Sequence, residues 1–335
     1  MKAAVFNGKE ITIRNVSEPK IKGSEVLVRV KVAGICGTDL AIVNGDLPTP
    51  TPIILGHEFV GIVEKVGKDV DKSWINKRIT SEINTNIDFN CYYCKLGLYT
   101  QCVSRKAIGI DINGALAEYI ALESYLLHEI PDSISDDDAT FIEPLAAAFQ
   151  TFEMMPIGED DNVIAIFGLG KLGLLISQVA KLKGLEIIAV DESERKLKLA
   201  KKLGVKEIIN RLQEKNIPKV IQNFTNGLGA DIVIDATGNP NALGEIVASC
   251  RTRGKIHIKS THGLETPINL TDIVVRELTL YSSRCGPFDK AIEGIKSGKI
   301  KVNELISKKF QLNNIKEAIE SYKISKDHIK TIIQI

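Results

Sequence analysis

The chain has almost no excess of charge. Its 43 Lys and Arg face 42 Asp and Glu, for a formal net charge of +1. It also lacks any long block of like charge, which removes the electrostatic reason to expect nucleic acid or an anionic membrane as partner. No apolar run approaches the ~18 residues that a membrane-spanning helix requires. The opening stretch MKAAVFNGKEITIRN has no apolar core of a secretory signal, so a cytoplasmic protein is expected. Internal repeats and low-complexity segments are missing as well. Cysteine is sparse: six residues, at Cys36, Cys91, Cys94, Cys102, Cys250 and Cys285. Three of them crowd into twelve residues, which in a reducing compartment points to metal rather than disulfides.

What is present is ordinary in amount and specific in arrangement. Hydrophobic content of 44% with 25% charged residues fits a globular protein, and 335 residues exceed the size at which single cores stop growing. Two domains are therefore expected. In SEVLVRVKVAG (24–34), Val28, Val30 and Val32 alternate with Arg29 and Lys31, the period of a half-buried strand. The first ~145 residues continue as short apolar runs broken by Gly, Pro and Asn, a mostly β pattern. After Pro144 the texture changes. VIAIF (163–167), EIIAV (186–190), DIVID (231–235) and KIHI (255–258) read as short strands, separated by helical patterns such as KLGLLISQVAKLKG and SERKLKLAKKLG. Such alternation predicts an α/β domain with a parallel sheet covered on both faces. DKAIEGIKSG and NIKEAIESYK then read as helices, and KTIIQI as a terminal strand.

Gly168-Leu169-Gly170-Lys171-Leu172-Gly173 follows a strand and opens a helix, the setting in which G-x-G-x-x-G binds a dinucleotide. Gly168 permits a tight turn, Gly170 a close approach of pyrophosphate, and Gly173 the packing of helix on strand, while the helix N-terminus favours negative charge. Asp191 ends the next strand about twenty residues on, where a carboxylate accepts from ribose hydroxyls and repels a 2′-phosphate. NAD is thus expected over NADP. The alternative is that Asp191 only caps the helix near Ser193. Arg195 and Lys196 could receive a phosphate or line a solvated face. Thr237 and Gly238 follow DIVID, at a strand end where ligands bind in such sheets; a plain turn would read the same.

Cys36 in GICGTD and His57-Glu58 in GHEFVG combine a thiolate, an imidazole and a carboxylate, a donor set that suits zinc. Thr38 is placed to pass on a proton, and Asp39 to orient a ligating imidazole. A turn after the strand would use the same two residues. The run G-H-E, two residues, Gly61, five residues, Gly67, two residues, Val70, together with Cys36 and the glycine loop, resembles the zinc-dependent alcohol and polyol dehydrogenases of the medium-chain dehydrogenase/reductase superfamily. The resemblance covers nearly the whole chain.

It implies a mostly β, irregular GroES-like catalytic domain from 1–148 with 283–335, and a Rossmann doubly wound NAD-binding domain from 149–282. It implies a catalytic zinc held by Cys36, His57 and a carboxylate. Glu143, in FIEPLAAA, stands where the polyol branch has glutamate and the simple-alcohol enzymes have cysteine; Glu58 and Glu143 then share the metal, one of them through water. A helix N-terminal charge is the plainer reading of Glu143. Cys91, Cys94 and Cys102 match three ligands of a structural zinc lobe, with Asp88 in the place of the first. Lys330 falls where relatives carry an arginine on the pyrophosphate, and a surface lysine is the alternative. Glu64 is a candidate second carboxylate behind the metal, and Glu118 a candidate contact for a substrate hydroxyl. Ala41 stands where many relatives have a histidine at the end of a proton relay. The substrate implied is a secondary alcohol, polyol or sugar-like molecule; a glucose or L-threonine dehydrogenase of the same superfamily, or a non-catalytic dinucleotide-binding protein, is the alternative. A homotetramer is implied too, pairing through an edge strand at VVRELTLYSS (274–283).

Overall fold

The computed structural model describes residues 1–335. Its middle third is one parallel sheet. The expected runs form the strands Val163–Phe167, Glu186–Asp191, Ala230–Asp235 and Cys250–Ile258. Glu207–Asn210, a short strand that the sequence pattern did not reveal, and Thr279–Ser282, within the expected edge run 274–283, form the edges. Numbered along the chain, the six lie in the order 3-2-1-4-5-6, with every neighbouring pair parallel. Alternate residues enter different cores. Ile164, Ile166, Ile232 and Ile234 pack on one side, and Ala165, Phe167, Ile188 and Val233 on the other. Burial on both faces is why these strands read as unbroken apolar runs rather than as alternation. The helix Lys171–Leu182 leaves the first strand directly. Glu194–Leu203 follows the second, capped by the Ser193 hydroxyl and closed by Gly204 at φ 105°. The order reverses between the first strand and the fourth, which opens a crevice at their C-terminal ends.

The rest of the chain builds a seven-stranded sheet around Glu25–Gly34, which pairs antiparallel with Glu58–Val66, Tyr119–Glu123 and Lys330–Gln334. Ile306–Gln311 joins the last of these in parallel. The tail strands Ile306–Gln311 and Lys330–Gln334 thereby join this sheet. A large apolar cluster bridges the two halves, because Val60, Ile130 and Ile329 pack with Leu174 and Ile176. The metal motifs are thereby held against the glycine loop.

Two expectations need correction. The run at 274–283 is only partly strand: Leu270–Val275 is helical, its start capped by the Asn269 side chain, and Glu277 at φ 49° breaks the chain before Thr279. Glu64 is not behind the metal. It is exposed, 3.6 Å from Arg29 on the neighbouring strand.

Candidate active site and metal centre

The strand Glu25–Gly34 delivers Cys36 as the N-cap of the helix Gly37–Asn44. Thr38 and Asp39 therefore sit in a helical first turn, not in a bare turn. Asp39 is fully buried and joins two loops. Its Oδ2 accepts the Cys36 N–H at 2.8 Å, and its Oδ1 accepts the Gly56 N–H at 3.2 Å. One carboxylate thus fixes the backbone at the thiolate and beside the imidazole. Burial pushes the Asp39 pKa up, against the pull of His57 and those two N–H bonds. Gly56 takes φ 92°, a conformation that disfavours side chains, and a Cβ there would meet Leu116 at 2.8 Å.

Cys36, His57 and Glu58 bring their donor atoms within 4.8 Å of one another. His57 Nδ1 is buried 3.8 Å from Asp39 Oδ1 and has no hydrogen-bond partner. Burial works to lower the His57 pKa, but Cys36, Asp39 and Glu143 outweigh it and hold it up at about 10. A cluster of anionic donors that draws positive charge onto its imidazole is chemically fitted to a dication. Thr38 Oγ1 lies 3.7 Å from Cys36 Sγ.

Glu58 is held by two ammonium groups. Lys171, from the glycine loop, engages Oε1, and Lys330, from the terminal strand, engages Oε2; all three side chains are buried. Burial would raise the Glu58 pKa, yet the two lysines and His57 bring it down to about 2. Burial, reinforced by the like charge of Lys171, lowers Lys330 against the pull of Glu58, while Cys36 and Glu58 keep Lys171 charged against its own burial. Lys330 is thus no surface lysine: its Nζ also lies 4.9 Å from the Phe141 ring centroid. Glu143 stands in the first turn of Ile142–Met154, buried, beyond the close trio. Its carboxyl accepts no hydrogen bond. Burial, reinforced by Glu58, raises its pKa against the pull of His57 and both lysines.

Across the cleft, Gly168 takes φ 89° and Gly170 caps the helix Lys171–Leu182. A Cβ on Gly173 would overlap the carbonyl oxygen of Gly168, whereas a Cβ on Gly170 meets nothing within 4 Å. That open space, beside the unpaired N–H groups of the first turn around Leu172, fits a pyrophosphate. Asp191 is not the cap of the next helix; Ser193 is. Asp191 Oδ2 instead accepts the Leu169 N–H at 2.6 Å and Oδ1 the Ser193 N–H at 2.8 Å, which ties the glycine loop to the second strand. Thr237 folds back onto Asp235 Oδ1, and the Gly238 N–H reaches Ser260 Oγ at 2.9 Å. Glu118 is a structural acid, accepting the Lys2 N–H at 2.7 Å.

In a separate lobe, Asp88, Cys91, Cys94 and Cys102 place their donor atoms within 4.8 Å of one another. The N–H groups of Asn90 and Cys91, each 2.8 Å from Asp88 Oδ1, hold that carboxyl well below its usual range. Burial and the neighbouring donors push the Cys94 thiol up to about 12. Such crowding of thiols and carboxylate also fits zinc.

Sequence reasoning missed Lys171. It was visible inside the glycine run, but spacing says nothing about a long side chain crossing to the other domain. It also passed over Lys259, whose Nζ bonds the Ala147 and Ser283 carbonyls at 3.0 Å and whose pKa burial lowers to about 8.

Residues 172–297 match the zinc-binding dehydrogenase family, and residues 22–132 the alcohol dehydrogenase GroES-like domain. D-arabitol-phosphate dehydrogenase of Enterococcus avium is 33% identical over 327 residues, 96% of this chain and 92% of that protein. The chain belongs to the zinc-dependent alcohol and polyol dehydrogenase family of the medium-chain dehydrogenase/reductase superfamily. Sorbitol dehydrogenase of Bacillus subtilis (strain 168) is 32% identical over 330 residues, covering 96% of this chain and 93% of its own. A short chain alcohol dehydrogenase of Escherichia coli CFT073, solved with NADH, superposes with a TM-score of 0.91 at 27% identity, covering 100% of this chain and 99% of that one. This family member is an oxidoreductase acting on CH–OH groups. No helix is long and apolar enough to cross a membrane.

Proposed function

We propose that the protein is an NAD- and zinc-dependent dehydrogenase of polyols or similar secondary alcohols, with 1–148 and 283–335 forming its catalytic domain and 149–282 its cofactor domain. The observation that carries this reading is the meeting of Cys36, His57 and Glu58 with the glycine loop through Lys171. Cys36, His57 and Glu143 hold the metal. Glu143 is assigned over Glu58 as the resident carboxylate because both Glu58 oxygens are already taken by ammonium groups. Zinc held there supplies Lewis acidity toward a substrate hydroxyl, and NAD the hydride acceptor. Asp39 fixes both ligand loops. Thr38 takes the substrate proton, and Ala41 has no group to carry it further, so solvent receives it. Gly168, Gly170, Leu172 and Gly173 cradle the pyrophosphate, and Asp191 the ribose. Thr237 and Gly238 border the nicotinamide. Lys330 steadies Glu58 rather than the pyrophosphate. Asp88, Cys91, Cys94 and Cys102 hold a second, structural zinc.

The carboxylate at Glu143, with the sorbitol enzyme among the relatives, favours polyols over simple alcohols. A cytoplasmic homotetramer is part of the same reading, supported by the exposed edge strand Thr279–Ser282 and its neighbours Val274 and Val275. The test is a panel of polyols, simple alcohols, glucose and L-threonine with NAD and NADP, run beside zinc quantification. Reduction of NAD by polyols with two zincs per chain supports the reading. No turnover by zinc-loaded protein removes it, and a single zinc removes the structural site.

A further inference from the structure

Beside Glu143 lies a polar corner that the hydride chemistry does not use. The Cα of Gly286 packs so closely on the Ala146 carbonyl, one helical turn beyond Glu143, that a side chain there would overlap it. This contact brings Cys285 to the metal side of the cleft, and the charge of Glu143 acts on it. Cys285 Sγ accepts from Asn84 Nδ2 at 3.1 Å, and Asn84 Oδ1 in turn accepts from Arg105 Nη1 at 3.1 Å. Arg284, next in the chain, reaches only the Thr100 carbonyl. Neither guanidinium forms an ion pair, although 22 other contacts between basic and acidic groups exist in the molecule. Burial and the like charge of Arg105 both lower the Arg284 pKa. Asp111, whose charge acts on Arg284, accepts the Ala107 N–H at 2.7 Å and forms no ion pair with the arginine. The Arg105–Asn84–Cys285 chain and the adjoining Arg284 thus place two guanidiniums in one corner, neither of them paired with an anion.

Unpaired guanidiniums held close together cost free energy, and a dianion with three acceptor oxygens relieves it through bidentate hydrogen bonds. We propose that Arg105 and Arg284 form a subsite for the phosphate of a phosphorylated polyol, whose carbinol carbon then lies at the metal. Asn84 positions Arg105 by accepting its N–H. The inference rests on the polyol dehydrogenase reading and narrows its substrate class. The phosphate is bound and not transferred; the reaction remains loss of hydride to NAD and of a proton from the same carbinol, giving ketone and NADH.

The experiment compares kcat/KM for D-arabitol with that for its 1- and 5-phosphates, in the wild type and in Arg284→Met, Arg105→Met and Arg284→Lys. The wild type should favour a phosphate ester at least tenfold. Either Met variant should lower that ratio by about tenfold or more, and Arg284→Lys by less, since lysine keeps the charge and loses the fork. Inorganic phosphate should inhibit the wild type competitively against the polyol and not against NAD, a measurement that needs no variant to fold. Equal kcat/KM on both forms, or a preference that survives in both Met variants, overturns the subsite and leaves the polyol reading standing. Turnover of L-threonine or glucose with neither form of arabitol oxidised overturns both.

Discussion

Replacing Glu58 by Gln tests how the two halves of the molecule are joined. Glu58 is the only carboxylate between the Lys171 and Lys330 ammoniums, and all three are buried. Removing one partner of a buried pair costs about 3–5 kcal/mol, mostly because the remaining charge is left without compensation. Glu58→Gln leaves two such charges, though Lys330, already lowered by burial, sheds its proton most readily and limits the loss. We expect about 3–5 kcal/mol. Lys171→Met keeps the Glu58–Lys330 pair and loses one charged hydrogen bond, about 1.5–3 kcal/mol. The double variant should recover part of the Glu58→Gln loss, because it no longer buries the second ammonium. Urea unfolding at pH 7 of metal-stripped protein isolates the ion pairs from any effect on the metal. The pH dependence carries a sign. A lysine whose folded pKa lies below its unfolded value adds a proton on unfolding, so stability rises with pH between the two values. Glu58→Gln should therefore regain stability as the pH rises from 7 toward 10.5, the unfolded value for lysine. A Lys171→Met loss equal to or greater than that of Glu58→Gln would refute the reasoning, as would strictly additive losses in the double variant.

Four further outcomes are expected. Gly170→Val should leave the melting temperature nearly unchanged, since a Cβ there meets nothing within 4 Å, yet weaken NAD binding tenfold or more by fluorescence titration. Asp191→Ser should lower the ratio of NAD to NADP efficiency, with some loss of stability because the Leu169 and Ser193 N–H groups lose their acceptor; an unchanged ratio would make Asp191 a structural residue only. Glu143→Ala should cut turnover sharply with NAD affinity nearly intact, whereas a mere helix-terminal charge predicts about 0.3–1 kcal/mol of lost stability and full activity. His257 is buried, and burial with Lys259 lowers its pKa to about 4 from 6.5. The unfolded chain then binds a proton that the folded chain does not, so stability should fall as pH drops from 6.5 toward 4. His257→Gln should flatten that slope in acid unfolding curves.

The strands of the parallel sheet were legible because the centre of a strand buried on both faces must be apolar, as in VIAIF, EIIAV and DIVID. The helix after Ser193 was legible from the pattern SERKLKLAKKLG, and the structure adds the Ser193 cap and the Gly204 end. Cys36, His57 and the Asp88 lobe were legible because donor chemistry and short spacing are written along the chain, and the structure gathers both groups. The edge strand at Glu207–Asn210 was not legible: four residues carry too little periodicity to show, and pairing with a neighbour makes them a strand. The helix at Leu270–Val275 was hidden as well: the resemblance put an edge strand from 274 onward, whereas a helix capped by Asn269 runs through Val275.

The sequence by itself determined which residues could bind metal and nucleotide, because those requirements concern residue type and near spacing. Only the tertiary structure decided how they are shared. Glu58 and Glu143 look equivalent in the chain, but Lys171 arrives from 113 residues away and Lys330 from 272, and both oxygens of Glu58 are taken. Asp39 binds the Cys36 and Gly56 backbones at once, and Asn84 links Arg105 to Cys285, the neighbour of Arg284. Contacts over such separations depend on how the sheets and helices pack, and a linear pattern holds no record of that packing.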